Sequence, residues 1–241
     1  MITIPLLEPE KVCGKSDFPK ILLSMVTILD LDDTLYRELA YVKSGFQVVA
    51  SFLARKFGLA RLKVYQAMLA KLKRGRGKIF DDVLKENGLY SNKLGAKCVS
   101  IYRCHEPKVK LYDDADRFLT KFRKYPLYIV TDGNKLVQKK KVFALKLNGR
   151  VKRIFFTRDY GLRHEKPSPY CFLRICRLEK IEPREAVYIA DNPRKDFIGL
   201  KPLGFKTVRI LRGNYKNLKL AAPYEGRRRI KGFGELWDFL N

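Results

Sequence analysis

Met25-Val26-Thr27-Ile28-Leu29-Asp30-Leu31-Asp32-Asp33-Thr34-Leu35 decides how this chain is read. Its first five residues are apolar or β-branched, the composition of a strand covered on both faces. Carboxylates follow at once. In extended chain, residues two apart point the same way, so Asp30 and Asp32 face one place. Four other runs have the same character: Leu127–Val130, Arg153–Phe156, Val187–Ala190 and Thr207–Ile210. Helical patterns separate the later runs. Lys135–Leu147 stops at Asn148-Gly149, and Pro169–Leu178 follows Ser168 as an N-cap, with Pro at the first helical position. Strands alternating with helices predict right-handed crossovers and an α/β fold around a doubly wound parallel sheet.

The stretch between the first two strands does not fit that alternation. A crossover needs only about a dozen residues. Here residues 37–110 carry helical periodicity and almost no strand pattern. Arg37–Phe57, Ala60–Lys73, Ile79–Asn87 and Lys93–Arg103 read as four helices of an inserted subdomain. Asp113–Lys124 then reads as the crossover helix, and Gly232–Leu240 as a C-terminal helix docked on the sheet. The expected organisation is a core of residues 1–36 and 110–241, with an all-helical cap at 37–109.

Composition narrows the class. The 241 residues are 46% hydrophobic, which excludes a disordered chain. No apolar run reaches the roughly 18 residues that span a bilayer. The apolar start of the chain is brief and reads as no signal peptide. Cys13, Cys98, Cys104, Cys171 and Cys176 are scattered and odd in number, as expected of free thiols in a reducing cytoplasm. Cys104 beside His105 lacks the second pair that a zinc site needs. Lys and Arg number 51 against 25 Asp and Glu, a formal +26. Such a charge attracts anions of any kind, nucleic acid included. The basic residues are spread along the chain and no nucleic-acid-binding motif accompanies them, so a solvated basic surface is the expectation.

In open α/β sheets, ligands bind beyond the carboxyl ends of the strands. The first run is followed by Asp30 and Asp32, the second by Thr131-Asp132-Gly133-Asn134, and the fourth by Asp191-Asn192-Pro193-Arg194-Lys195-Asp196. One Asp at a strand end is ordinarily a helix cap. Carboxylates at one edge from several strands repel, and a hard divalent cation with oxygen ligands, Mg²⁺, relieves that. A carboxylate beside such a cation can attack a phosphoryl group, since the metal offsets the charge of the dianion. Thr131 supplies a hydroxyl. Gly133 and Asn134 begin a helix whose N–H groups face a bound anion. Lys166, in Glu165-Lys166-Pro167-Ser168-Pro169, supplies an ammonium. Asp32 is left for proton transfer, which requires a pKa near neutrality in one state; neighbouring carboxylates favour that.

These residues resemble the four motifs of the haloacid dehalogenase-like (HAD) superfamily. Asp30-Leu31-Asp32-Asp33-Thr34-Leu35 is similar to the first motif, Thr131 to the second, Lys166 to the third, and Asp191 with Asp196 to the fourth. The order is right, and the match runs from about residue 25 to about 213. The resemblance implies a Rossmann-like core with a helical cap that closes over the site. It implies Asp30 as nucleophile and Asp32 as acid/base. It implies Mg²⁺ held by the Asp30 carboxylate, the Asp32 carbonyl and the Asp191 carboxylate, with Asp196 acting on the metal through water. Thr131, Gly133 and Lys166 would hold the phosphoryl group. Members that expel halide have no use for the second Asp of the first motif, so Asp32 favours phosphate transfer. Ala190 stands where many members carry Gly.

The expected function is a Mg²⁺-dependent phosphatase of a small phosphorylated metabolite, of sugar-phosphate or nucleotide type, that works through an aspartyl-phosphate. The alternatives are a phosphatase of nucleic-acid ends, a phosphomutase, and a basic nucleic-acid-binding protein on the same scaffold. Candidates for substrate contact are Asn134, Arg76 in a flexible basic loop, and His105, for which a structural role is the plainer alternative. Substrate identity and oligomeric state are not legible.

Overall fold

A computed structural model describes residues 25–75 and 77–236. Residues 1–24, Arg76 and Trp237–Asn241 lie outside the described residues. The roles expected of Cys13 and of the Arg76 loop residue therefore fall outside it.

Six parallel strands form one sheet in the order β3-β2-β1-β4-β5-β6. They are β1 (Val26–Leu29), β2 (Leu127–Thr131), β3 (Arg153–Phe156), β4 (Ala186–Ala190), β5 (Lys206–Ile210) and β6 (Arg228–Ile230). The expected five strands are present within a residue or so at each end. The sixth was not expected. It is three residues long, exposes two arginines and forms the sheet edge, so it lacks the apolar run of a covered strand. β1 lies at the centre with β2 and β4 on either side. The chain ends of these three strands therefore meet at one crevice, where the direction of winding reverses.

Between β1 and β2 lie helices α1 (Glu38–Phe57), α2 (Arg61–Arg74), α3 (Ile79–Glu86), α4 (Asn92–Cys104) and α5 (Asp113–Lys121). α1 packs on α2 and α4, and α3 joins α2 to α4. Val49, Leu53, Met68, Val83, Leu84 and Cys98 form their buried interior, which continues into the apolar layer beneath the sheet. The two passages of chain into and out of α1–α4 lie side by side. Tyr36 bridges Leu111, and the Tyr112 N–H donates to the Leu35 carbonyl at 2.9 Å.

Helix α6 (Lys135–Ala144) follows β2, and α7 (Tyr170–Glu179) precedes β4. α7 starts one residue later than expected: Pro169 is the boundary residue, and the Ser168 hydroxyl accepts only a long 3.4 Å bond from the Tyr170 N–H. α5 ends at Lys121 because Phe122 to Tyr125 turns into β2. In the expected C-terminal helix, Phe233–Leu236 is a 3₁₀ turn, and the rest lies outside the described residues. No helix among the described residues is long and apolar enough to cross a membrane. Cys98, Cys171 and Cys176 are buried free thiols and Cys104 is an exposed one, as expected.

Candidate active site

The crevice holds a cavity of about 440 Å³. Asp30, Asp32, Thr131, Gly133, Lys166, Asp191 and Asp196 all line it, although they come from four separate stretches of chain. The strands explain the convergence. The Asp30 N–H still pairs with the Ile189 carbonyl of β4 at 2.9 Å, so Asp30 leaves the sheet beside Asp191. Asp33 turns the chain back with φ 52°. Its carboxylate accepts the Glu38 N–H at 2.9 Å and so fixes the start of α1.

Lys166 is the centre of the site. Its Nζ lies 2.5 Å from Asp30 Oδ1, 2.8 Å from Asp196 Oδ1 and 2.9 Å from the Tyr188 hydroxyl. Only 2% of its side chain is exposed. Burial alone would lower its pKa, but Asp196 and Asp30 hold it well above the ordinary lysine value. Asp196 was expected to reach a metal through water. Its Oδ1 pairs with Lys166 and Tyr188, and its Oδ2 accepts the Asn192 N–H at 2.9 Å. It braces the ammonium. Asp132 holds the same loop from the other side, accepting the Lys166 N–H at 3.2 Å and the Thr157 hydroxyl at 2.8 Å. Lys195 pairs with Asp132 at 2.6 Å.

Asp30 and Asp191 carry the signature of crowded buried acids. Burial, with Asp196 close by, raises Asp30 to about 7 against the pull of Lys166. Burial, then Asp30, Asp196 and Asp33, push Asp191 up to about 10. Among the described residues no group of three Asp, Glu, His or Cys side chains is drawn close enough to hold a metal ion by itself. Asp30 and Asp191 thus set two carboxylates on the wall of a cavity with room for water. That fits Mg²⁺, which keeps several waters and takes few carboxylates.

Asp32 departs from expectation. Its neighbours are donors, not carboxylates. Lys141 Nζ lies 2.7 and 3.0 Å from its two oxygens, Gln138 Nε2 lies 2.8 Å from Oδ2, and the Tyr36 hydroxyl donates to Oδ1. Burial would raise its pKa, but Lys141 and these hydrogen bonds more than offset that and hold it below the ordinary value. Lys141 and Gln138 carried no role in the sequence reading, since Lys139–Lys141 reads as one more basic surface run. The signal was their spacing: Gln138, Lys141, Val142 and Leu145 share the buried face of α6.

Two substrate candidates lie elsewhere. His105 does not line the cavity. Its Nε2 is 2.8 Å from the Ser44 hydroxyl and its Nδ1 is 2.6 Å from the Tyr102 carbonyl, a structural histidine whose pKa burial lowers. The Asn134 side chain caps α6 by accepting the Val137 N–H at 3.2 Å. Thr131 accepts from Gln138 Nε2 at 2.7 Å, and Gly133 takes φ 113° at the cavity wall.

A family model described as haloacid dehalogenase-like hydrolase matches residues 25–204. The chain is 29% identical over 204 residues to a glyceraldehyde 3-phosphate phosphatase of Methanopyrus kandleri, covering 80% of this chain and 86% of that one. It is 27% identical over 202 residues to the protein of the same name from Methanocaldococcus jannaschii, covering 80% and 87%. In fold it is similar to a HAD-hydrolase of Bacillus subtilis, YfnB, solved bound to magnesium: TM-score 0.63, 21% identity, 90% of this chain and 98% of that chain. With its four strand-end motifs gathered on one cavity, the chain belongs to the haloacid dehalogenase-like hydrolases, among their phosphoric monoester hydrolases.

Proposed function

We propose that this enzyme is a Mg²⁺-dependent phosphatase of a small phosphorylated metabolite, of sugar-phosphate or nucleotide type, and that it works through an aspartyl-phosphate on Asp30. The observation that carries this is the Lys166 ammonium 2.5 Å from Asp30 Oδ1, with Asp191 on the same cavity wall. The relatives named as glyceraldehyde 3-phosphate phosphatases support a small substrate.

In this reading an Asp30 oxygen attacks phosphorus. The new O–P bond forms as the ester O–P bond breaks, and Asp32 gives its proton to the leaving alkoxide. The approaching dianion raises the proton affinity of Asp32, opposing the pull of Lys141. Water then attacks the phospho-enzyme and gives its proton to Asp32, and Asp30 leaves as carboxylate. Lys166, Thr131 and the Gly133 N–H hold the phosphoryl oxygens throughout. Asp30, Asp191 and the Asp32 carbonyl would hold Mg²⁺, which when bound neutralises and orients the phosphoryl group. Residues 37–109 act as a cap, moving about the paired passages at Tyr36 and Leu111, and exclude water when closed.

A panel of phosphorylated metabolites, assayed with and without Mg²⁺ beside Asp30→Asn, tests the proposal. Turnover is expected only with Mg²⁺ and only in the unaltered enzyme. Full activity in Asp30→Asn overturns the nucleophile assignment.

A further inference from the structure

We propose that Lys141, with Gln138 one turn before it on α6, is a positioning residue that aims the Asp32 carboxylate for proton transfer. The proposal rests on the reading of Asp32 given above. Lys141 does not itself line the cavity; it acts through Asp32, which does.

The geometry is that of a clamp. Lys141 Nζ spans both Asp32 oxygens at 2.7 and 3.0 Å. Gln138 Nε2 holds Oδ2 at 2.8 Å, and the Tyr36 hydroxyl holds Oδ1. Donors on both oxygens stop the carboxylate from turning about its terminal torsion, which is otherwise broad. A lysine on the inner face of a helix is costly unless it is paired, and only 5% of this side chain is exposed. The Tyr41 ring of α1 lies over the ammonium, 4.7 Å from centroid to Nζ, and screens it from water. Gln138 adds a second sign. Its Nε2 also lies 2.7 Å from the Asp132 carbonyl oxygen. Turning the amide over would set Oε1 against that carbonyl and the Asp32 carboxylate. Its Oε1 is instead buried with no hydrogen-bond partner. The fold leaves one acceptor unpaired and keeps the donor on Asp32.

Why such a clamp matters follows from reach. Proton transfer needs heavy atoms within about 2.6–3.2 Å. A misplacement of about 1 Å costs roughly 100-fold. Asp32 sits at the cavity wall, and of the donors that fix its orientation only Lys141 reaches both oxygens.

A merely structural ion pair predicts equal loss on all substrates. A positioning residue predicts loss that depends on the leaving group. p-Nitrophenolate departs without a proton and an alkoxide does not, and kcat/KM reports the steps through ester cleavage. In Lys141→Met we expect kcat/KM to fall by about 100-fold on the best alkyl phosphate of the panel and by no more than about threefold on p-nitrophenyl phosphate. Gln138→Leu should show the same contrast more weakly, and it carries the test should Lys141→Met fail to fold by circular dichroism. Asp32→Asn is the reference. If Asp32→Asn lowers both esters alike, the proton-transfer reading of Asp32 fails. If Asp32→Asn separates the esters and the α6 variant does not, the positioning role is overturned.

Discussion

Gly199 stands directly against the backbone of the loop that carries Lys166: a Cβ on Gly199 would sit 1.8 Å from the Pro167 carbonyl oxygen. The contact ties the segment after β4 to the ammonium loop, so the third and fourth strand-end motifs share one packing constraint. Backbone cannot swing aside as a side chain can. Gly199→Ala should therefore destabilise the protein by about 1–3 kcal/mol, and the displaced Lys166 should take activity with it. Thermal denaturation and the steady-state rate check this. An alanine variant with unaltered melting and rate means the contact is looser than the structure has it.

Asp191 lies among Asp30, Asp33 and Asp196. Without a cation this crowding opposes folding; with one it becomes the binding site. Asp191→Asn should melt at the same temperature as the unaltered protein, or higher, in chelator. Saturating Mg²⁺ stabilises a binding protein by RT ln(1 + [L]/Kd), about 2.7 kcal/mol at 100 times Kd. That rise should appear in the unaltered protein and vanish in Asp191→Asn. A Mg²⁺-induced melting shift that survives the substitution removes Asp191 from the ligand set.

How far the sequence could be read depends on whether a residue's partners lie near it in kind. β1, β2, β4 and β5 announce themselves because a strand buried on both faces is a run of apolar residues. β6 hides because Arg228 and Arg229 face solvent at the edge. The motif residues were legible in order, since Asp30, Thr131 and Asp191 follow recognisable strands and Lys166 precedes a recognisable helix. What surrounds Asp32 was not. Its partners stand 106 and 109 positions away on α6, inside a run of three lysines that looks like surface. For His105 the structural role was the plainer reading from the start, and Ser44 and Tyr102 hold its ring on both nitrogens.

Among the described residues Arg209, on β5, is the largest fully buried side chain. Its guanidinium pairs with Glu225, whose other oxygen accepts Arg229 Nε at 2.9 Å. Burial would raise the Glu225 pKa, but the two arginines hold it below the ordinary glutamate value. Glu225→Gln should cost about 3–5 kcal/mol at pH 7, the usual penalty for leaving a buried charge unpaired. The sign of the pH dependence follows. A carboxyl with a lowered folded pKa contributes stability above its unfolded value, lost as pH falls through the folded one. Urea midpoints should therefore differ most at pH 7 and converge on acidification below about pH 4. A gap that stays constant with pH refutes the ion pair.

The surface and the cavity carry opposite charge. The chain as a whole is formally +26, while the cavity wall holds six aspartates with Glu38 and Glu165 against Lys166, Lys195 and Arg158. A phosphate dianion is thus drawn in by the long-range field and met at short range by paired bases. Salt screens the first and barely touches the second, since the Debye length is about 10 Å at 0.1 M. Raising ionic strength from 10 to 300 mM should lower kcat/KM, by up to roughly tenfold where encounter is limiting, and leave kcat nearly unchanged. The control is a neutral competitor of ionic strength, an osmolyte at matched osmolarity, which should move neither constant. A kcat that falls in step with kcat/KM locates the salt effect inside the cavity and contradicts steering by the basic surface.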